Sequence, residues 1–219
     1  MRFRDRVDAG RRLAGRLGHL RAENPIVVGL PRGGVPVAAE IAAVLDAPLD
    51  IVLVRKIGAP QRMELAVGAI GEDGVTVRND AVLAELGLTW AGLGRQISHE
   101  RAEITRRAVS LRPGPRPSLE DRTVILVDDG IATGATVVAA IRVVRRLGAG
   151  RIVLAVPVAP ADTVSRLGEI ADEVVCGLLP DRFLAVGQWY DDFEQVPDRR
   201  VRELLAESTV DPQARRLRG

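Results

Sequence analysis

The stretch VILVDDGIATGAT, residues 124–136, decides both the fold and the chemistry of this chain. Its first four residues are apolar and mostly β-branched, which is typical of a buried strand. Two carboxylates and a glycine-containing loop follow, and a helix is predicted to begin at about Thr133. The stretch therefore predicts a strand, a ligand-binding loop and a helix start in direct succession.

Four more apolar runs bounded by Gly, Pro or Asp predict further buried strands. With the first run, the strands are predicted at residues 26–30, 49–54, 123–127, 151–158 and 173–179, and helices at 35–45, 134–147 and 161–168. Because strands and helices alternate, we expect an α/β fold with a mainly parallel central sheet flanked by helices. We treat residues 1–219 as a single domain with its core at about 25–180, since a chain of this length builds one hydrophobic core.

Two regions depart from this alternation. Residues 55–79 contain Gly, Pro and alternating apolar residues, which predicts a flexible loop followed by a hairpin that turns at Glu72-Asp73-Gly74. Residues 80–110 are predicted to be helical, with a solvated charged face.

Composition excludes several classes of protein. The net charge is only +2, the single cysteine, Cys176, excludes a disulfide framework, and no apolar run approaches the length of a membrane span. The first residues show no apolar signal-peptide segment. We therefore expect a cytoplasmic protein without a membrane partner, and the spread of arginines among acids does not predict a nucleic-acid partner.

The loop at residues 128–136 suits an anion. Backbone N–H groups at a helix start can hold a phosphate, helped here by the hydroxyls of Thr133 and Thr136. The loop lacks the Gly-Lys-Ser/Thr ending of a Walker loop and is not a GxGxxG fingerprint. The candidate phosphate-binding residues are Ala132, Thr133, Gly134, Ala135 and Thr136.

Asp128 and Asp129 stand directly in front of this anion loop, where they would repel a bare phosphate. They fit a ligand that carries vicinal hydroxyls and Mg²⁺ a few ångströms from its phosphate, such as a ribose 5-phosphate. The two carboxylates would accept hydrogen bonds from the ribose hydroxyls. Their charge would also favour Mg²⁺ and a positive charge developing at the anomeric carbon.

At these residues the chain resembles the type I phosphoribosyltransferases, whose signature is an apolar strand, two acidic residues and a loop ending in Thr-Gly-x-Thr. The resemblance implies transfer of the 5-phosphoribosyl group from 5-phosphoribosyl 1-pyrophosphate (PRPP) to a nitrogenous base, with release of pyrophosphate and with Mg²⁺ as cofactor. It implies a role in nucleotide salvage, PRPP and a nucleobase as small-molecule partners, and Asp128 and Asp129 as catalytic and metal-associated residues. We expect a homo-oligomer, a dimer.

The family has a pyrophosphate-binding turn after its first core strand, and Pro31-Arg32-Gly33-Gly34 occupies this place here. The resemblance assigns Arg32, Gly33 and Gly34 to the diphosphate. It also implies a mobile catalytic loop after the next strand, at residues 55–67, with Arg55, Lys56 and Arg62 as further diphosphate ligands. Lys56 is the chain's one lysine; a solvated basic loop is the alternative interpretation.

A hood over the acceptor base is the family's third element. It is predicted to combine the N-terminal helix with residues 179–196, LPDRFLAVGQWYDDFEQV, which resemble the base-binding segment of hypoxanthine-guanine phosphoribosyltransferases. The resemblance implies that Phe183 stacks on the base, that Trp189 adds aromatic surface and that Asp191 lies near the base or the metal. The alternative is an aromatic cluster that only packs the core.

Two departures from the 6-oxopurine enzymes leave the acceptor base open. Those enzymes have an aspartate in the phosphate loop where this chain has Ala132, and a lysine after the following strand where this chain has AVPVAP, residues 155–160. A second function also stays open. In this alternative the chain is a catalytically weak regulatory protein that senses PRPP or a nucleotide and binds RNA through its arginines.

Overall fold

The computed structural model describes residues 2–60, 62–112 and 114–209, which contain eight strands and seven α-helices. The strands are β1 (Ile26–Gly29), β2 (Leu49–Ile51), β3 (Val54–Ala59), β4 (Arg62–Gly71), β5 (Thr76–Arg78), β6 (Thr123–Val127), β7 (Arg151–Val158) and β8 (Glu173–Leu178). The helices are α1 (Arg6–Ala14), α2 (Gly34–Leu45), α3 (Asp80–Glu85), α4 (Gly94–Leu111), α5 (Ala135–Arg146), α6 (Ala161–Gly168) and α7 (Asp198–Thr209). Short 3₁₀ helices occur at Gly18–Glu23, Glu72–Gly74, Ala91–Leu93 and Val186–Trp189.

The central sheet is parallel throughout and has the strand order β2-β1-β6-β7-β8. Gly29 of β1 pairs in register with Val127 of β6, which pairs with Ala155 of β7. The carboxyl ends of β1 and β6 therefore lie at one level, and β7 continues beyond it to Val158. The segments that follow β1 and β6 leave the sheet side by side, which confirms the predicted α/β fold and brings the two glycine-containing segments together.

Side chains of the central strands alternate between two apolar layers. Val27, Ile125 and Val153 belong to the layer that also contains residues of α1, α2, α4 and α7. Their neighbours along the same strands, such as Leu126 and Leu154, belong to the opposite layer with residues of α5 and α6. Because both faces of the sheet are covered, its strands are apolar at successive positions, and this is why they could be predicted from short Val- and Ile-rich runs.

A second sheet, with the antiparallel order β3-β4-β5, corrects the prediction of a loop at residues 55–67. Arg55 and Lys56 lie in β3, and Arg62 begins β4. Ile57, Val67 and other apolar residues of these strands are fully buried in the main core, which makes the segment a packed hairpin. The Gly and Pro residues that favoured a loop lie at its bulge and turn. The hairpin between β4 and β5 turns at residues 72–74, as predicted.

The predicted strand at residues 49–54 is also divided between the two sheets. The N–H of Val52 still donates to the carbonyl of Gly29 in β1, at 3.3 Å. The N–H of Leu53 donates instead to the carboxylate of Glu72, at 2.9 Å. The chain therefore leaves the parallel sheet after β2 and enters β3. At Leu53 the carboxylate of Glu72, in the turn after β4, accepts the hydrogen bond in place of a backbone carbonyl of the parallel sheet.

A buried ionic cluster joins the two sheets to the end of α4. The Arg112 guanidinium lies 2.8 Å from Asp50 of β2 and 2.5 Å from Glu72, and it also donates to the carbonyl of Ile51. The three charged side chains are each 10% exposed or less. Burial raises the pKa of Asp50, while the neighbouring Arg112 opposes this shift. Removing the arginine would leave two carboxylates buried without a counter-ion.

We expect Arg112→Ala to lower the free energy of unfolding by about 3–5 kcal/mol, the usual effect of removing one partner from a buried ion pair. Urea unfolding followed by circular dichroism measures this change. Arg106→Ala is the matched control, because Arg106 pairs with Glu103 on the exposed surface of the same helix. Equal stability of the two variants would show that the buried cluster contributes no more than a surface pair.

Candidate functional site

The loop after β6 turns sharply before α5 begins. Gly130 and Gly134 have φ angles of 156° and 78°, which favour glycine over residues with a side chain. The N–H of Ile131 donates to the carbonyl of Val158 at the end of β7, and the hydroxyl of Thr163 donates to the carbonyl of Ala132 at 3.0 Å. These contacts fix the loop against the neighbouring strand and helix.

The loop lines a cavity of about 260 Å³ that is open to solvent at the start of α5. The first N–H groups of a helix have no acceptor within it, so they are free to bind an anion. Ala132, Thr133 and Thr136 are exposed there. All five predicted phosphate-binding residues line this one cavity, and the complete lining is Asp128, Gly130, Ile131, Ala132, Thr133, Gly134, Ala135, Thr136, Val137 and Val186.

Asp128 and Asp129 lie at the entrance of this loop and are linked by a hydrogen bond. The N–H of Asp129 donates to Oδ1 of Asp128 at 2.9 Å. Burial raises the pKa of Asp128 well above its ordinary value, and the charge of Asp129 raises it further. Asp128 is therefore held in an environment that disfavours its charged form unless a partner is bound.

The turn at residues 31–34, after β1, packs directly on these carboxylates. A side chain at Gly33 would overlap the carboxylate of Asp129, and one at Gly34 would come within 2.5 Å of the carbonyl of Val127. Glycine is thus required at both positions by the close approach of the two loops. Arg32 lies in the same turn, with its guanidinium 3.7 Å from Asp198 of α7.

The three basic residues that were predicted to bind diphosphate from the loop at residues 55–67 are not brought together. Lys56 lines a small cavity with Ala135, at the start of α5. Arg55 is directed to Glu100 of α4, at 3.5 Å, and Arg62 lines a different cavity between the β3–β4 turn and residues 86–88. The structure therefore places Lys56 next to the anion loop and the other two away from it.

The N-terminal segment and residues 183–193 pack together where the hood was predicted. Phe3 pairs with Tyr190 in a short parallel bridge, in which the N–H of Phe3 donates to the carbonyl of Trp189 at 2.8 Å. Phe183 and Trp189 pack on this aromatic cluster and are partly buried. Val186 lies against Gly130, so the hood contacts the start of the anion loop.

Asp191 does not lie with the other predicted site residues. Its side chain is 61% exposed and is 3.8 Å from the guanidinium of Arg2. The structure therefore gives no geometric support for a role of Asp191 at the base or the metal. The preceding residue, Tyr190, is turned inward instead.

The contacts of Asp129 with the hood were missed at the level of sequence. Arg6 of α1 donates from Nε to Oδ2 of Asp129 at 2.7 Å, and both side chains are nearly buried. The hydroxyl of Tyr190 donates to the carbonyl of Asp129 at 2.5 Å, and burial raises the pKa of this hydroxyl, which keeps it protonated. Arg6 is one of several arginines in the N-terminal segment, and no local pattern distinguishes it from the others.

Among residues 2–60, 62–112 and 114–209, no three His, Cys, Asp or Glu side chains are grouped so that they could hold a metal ion by themselves. None of the helices in the described part of the chain is long and apolar enough to cross a membrane.

Known proteins are similar to this chain over most of its length. Two Mycobacterium tuberculosis proteins, each named "Putative phosphoribosyl transferase", are 52% identical over 200 residues, which are 91% of this chain. The chain spans 45% of their length, about half of these curated relatives. The crystal structure of the protein TT1426 from Thermus thermophilus is 46% identical in sequence to this chain and matches it with a TM-score of 0.86. The match covers 94% of this chain and 99% of the TT1426 chain.

The model of the phosphoribosyl transferase domain family matches residues 4–188. This match includes β1 with its glycine turn, the Asp128-Asp129 pair, the anion loop and the hood as far as Gln188. The chain therefore belongs to the phosphoribosyl transferase domain family.

Proposed function

We propose that this protein transfers the 5-phosphoribosyl group of PRPP to a nitrogenous base and releases pyrophosphate. The observation that carries the proposal is the contact between the glycine turn and the acidic pair, beside the open cavity at the start of α5. A ligand with a phosphate, two vicinal hydroxyls and a diphosphate would match these three features in order. Family membership supports the same reaction type.

The proposed roles follow the positions of the residues. The helix start at residues 132–136 would hold the 5-phosphate, and Asp128 and Asp129 would accept hydrogen bonds from the ribose hydroxyls. Burial raises the pKa of Asp128, and ribose hydroxyls that donate to its carboxylate would favour the ionised form. Arg32 and the N–H group of Gly33 would face the diphosphate, while the N–H of Gly34 already donates to the carbonyl of Leu30 at 3.0 Å.

Lys56 is the best placed of the predicted loop cations, since it lies near Ala135 at the start of α5. Its ammonium would neutralise charge on the departing diphosphate. Arg55 and Arg62 would reach the same group only after a movement of the β3–β4 hairpin. We therefore rank Lys56 ahead of them.

The carboxylates of Asp128 and Asp129 also fit Mg²⁺ that is carried by the substrate. Mg²⁺ is commonly bound by one or two carboxylates together with substrate phosphate oxygens and water, and the Asp128-Asp129 pair offers such carboxylates. The ion would supply charge neutralisation at the diphosphate.

The proposed reaction breaks the bond between C1 of the ribose and the diphosphate oxygen and forms a bond from C1 to a ring nitrogen of the base. Positive charge develops at C1 as the first bond breaks, and the carboxylates of the acidic pair, bound to the ribose hydroxyls, would stabilise this charge. The bonding electrons leave with pyrophosphate, and the nitrogen loses its proton to solvent. Phe183 and Trp189 would provide flat surface for the acceptor.

We expect the double substitution Asp128→Asn and Asp129→Asn to weaken donor binding by about 100-fold or more, because two charge-assisted hydrogen bonds are lost. Titration calorimetry with PRPP and Mg²⁺ measures the affinity. Asp191→Asn is the matched control, since it makes the same chemical change at an exposed position. Unchanged affinity in the double variant would refute the assignment of the acidic pair.

We expect Gly33→Ala to weaken donor binding by about tenfold or more, because the added methyl group displaces either the turn or the carboxylate of Asp129. The same calorimetry measures the effect. Gly18→Ala is the control, as a side chain there meets nothing within 4 Å. If both variants bind PRPP like the wild type, the turn does not shape the donor site.

We expect hypoxanthine and guanine to be poor acceptors. A 6-oxopurine loses a ring proton as its nitrogen attacks, and Ala132 cannot assist, which typically reduces the rate by about 10²–10⁴-fold. Pyrophosphate release with PRPP and a panel of purines, pyrimidines and other nitrogen heterocycles tests both this expectation and the proposed function. Hypoxanthine or guanine with kcat/KM near 10⁵ M⁻¹s⁻¹, roughly the usual enzyme range, would contradict it. PRPP binding without release for any base would favour the sensor function.

A further inference from the structure

We propose that Arg6 and Tyr190 of the hood are positioning residues that hold Asp129 ready for the ribose of the donor. The inference rests on the proposed function, because it assumes that Asp129 binds the donor. It assigns a role to two residues outside the strand-end loops, which are far apart in the sequence and meet at Asp129, Arg6 at the carboxylate and Tyr190 at the backbone carbonyl.

Asp129 is held at three separate points. Its side-chain Oδ2 accepts from Nε of Arg6 at 2.7 Å, and its backbone carbonyl accepts from the hydroxyl of Tyr190 at 2.5 Å. Its N–H donates to Asp128. The carboxylate also lies against Gly33, so the residue is confined from the hood, from the neighbouring acid and from the turn after β1.

Arg6 is itself fixed, unlike a typical surface arginine. Its guanidinium carbon lies 4.0 Å above the centre of the Phe193 ring, and Nη1 donates to the carbonyl of Glu194 at 2.8 Å. The side chain is only 12% exposed. A guanidinium that stacks on an aromatic ring and donates to two oxygens loses little further entropy when the site is occupied, which is the property of a preorganising group.

The contact leaves Asp129 able to bind a ligand. Arg6 reaches Oδ2 through Nε, and a carboxylate has about four acceptor positions on its two oxygens. Oδ1 can therefore accept from a ribose hydroxyl while the ion pair is kept. This geometry favours a positioning role over a role in which Arg6 blocks the donor.

Tyr190 supports the same residue from the other segment of the hood. Its ring is 3% exposed and stacks on Phe193 at 4.9 Å between ring centres. Phe193 thus touches both residues that hold Asp129, through the guanidinium of Arg6 and the ring of Tyr190. A displacement of the hood would be transmitted directly to the donor-binding carboxylate.

The test is a double-mutant cycle on PRPP affinity in the presence of Mg²⁺. Arg6→Gln removes the charge, Tyr190→Phe removes only the hydroxyl, and Arg6→Lys keeps the charge. Each is measured in the wild-type and in the Asp129→Asn background. Arg12→Gln is the matched control, because Arg12 also lies on α1, pairs with an acid, Asp8, and packs on an aromatic ring, that of Phe3, but does not touch Asp129.

We expect Arg6→Gln to weaken PRPP binding by about tenfold, and Tyr190→Phe by a smaller factor of about three to ten. Arg6→Lys should recover part of the loss and Arg12→Gln should bind like the wild type. Both hood effects should largely vanish in the Asp129→Asn background, since residues that act through one group are not additive. Thermal unfolding of every variant shows whether the fold is retained.

The outcomes separate the two levels of inference. If the wild type does not bind PRPP, or Asp129→Asn binds it equally well, the proposed function of the acidic pair fails and the positioning role falls with it. If Asp129→Asn loses affinity while Arg6→Gln and Tyr190→Phe bind like the wild type, the positioning role alone is wrong. Loss of affinity that persists undiminished in the Asp129→Asn background would also overturn it.

Discussion

The close approach of two strand-end loops is the constraint on which the rest of the site depends. The turn after β1 touches the acidic pair after β6 because Gly33 and Gly34 have no side chains. The approach is possible only because β1 and β6 are neighbours in one parallel sheet and end at the same level. Sheet order, register and two glycines thus combine to put the turn at residues 31–34 directly beside the Asp128-Asp129 pair.

Two sets of long-range contacts complete the site around this approach. Arg6 and Tyr190 extend from the hood to Asp129, which itself touches Gly33, so the acceptor and donor sides of the proposed site are connected through this one residue. On the other side, Arg112 joins carboxylates from β2 and from the turn after β4. This cluster fixes which segments meet, and it holds the β3–β4 hairpin where Lys56 lies near the start of α5.

Local patterns in the sequence were sufficient to predict the positions of the central strands, of the glycine turn and of the loop at residues 128–136. Each of these depends on neighbouring residues: apolar runs for strands covered on both faces, and glycine and threonine at a helix start. The acidic pair could be recognised for the same reason, since Asp128 and Asp129 directly follow the apolar strand and directly precede the glycine- and threonine-containing turn.

Tertiary structure alone decided which distant side chains meet. Residues 55–60 and 62–67 form a packed hairpin because Ile57 and Val67 are buried in the main core, which their own sequence does not reveal. Asp191 points to solvent and Tyr190 inward because of the pairing with Phe3. Arg6 became part of the site only because the fold brings α1 onto Asp129, and no spacing along the chain encodes a contact between residues 123 positions apart.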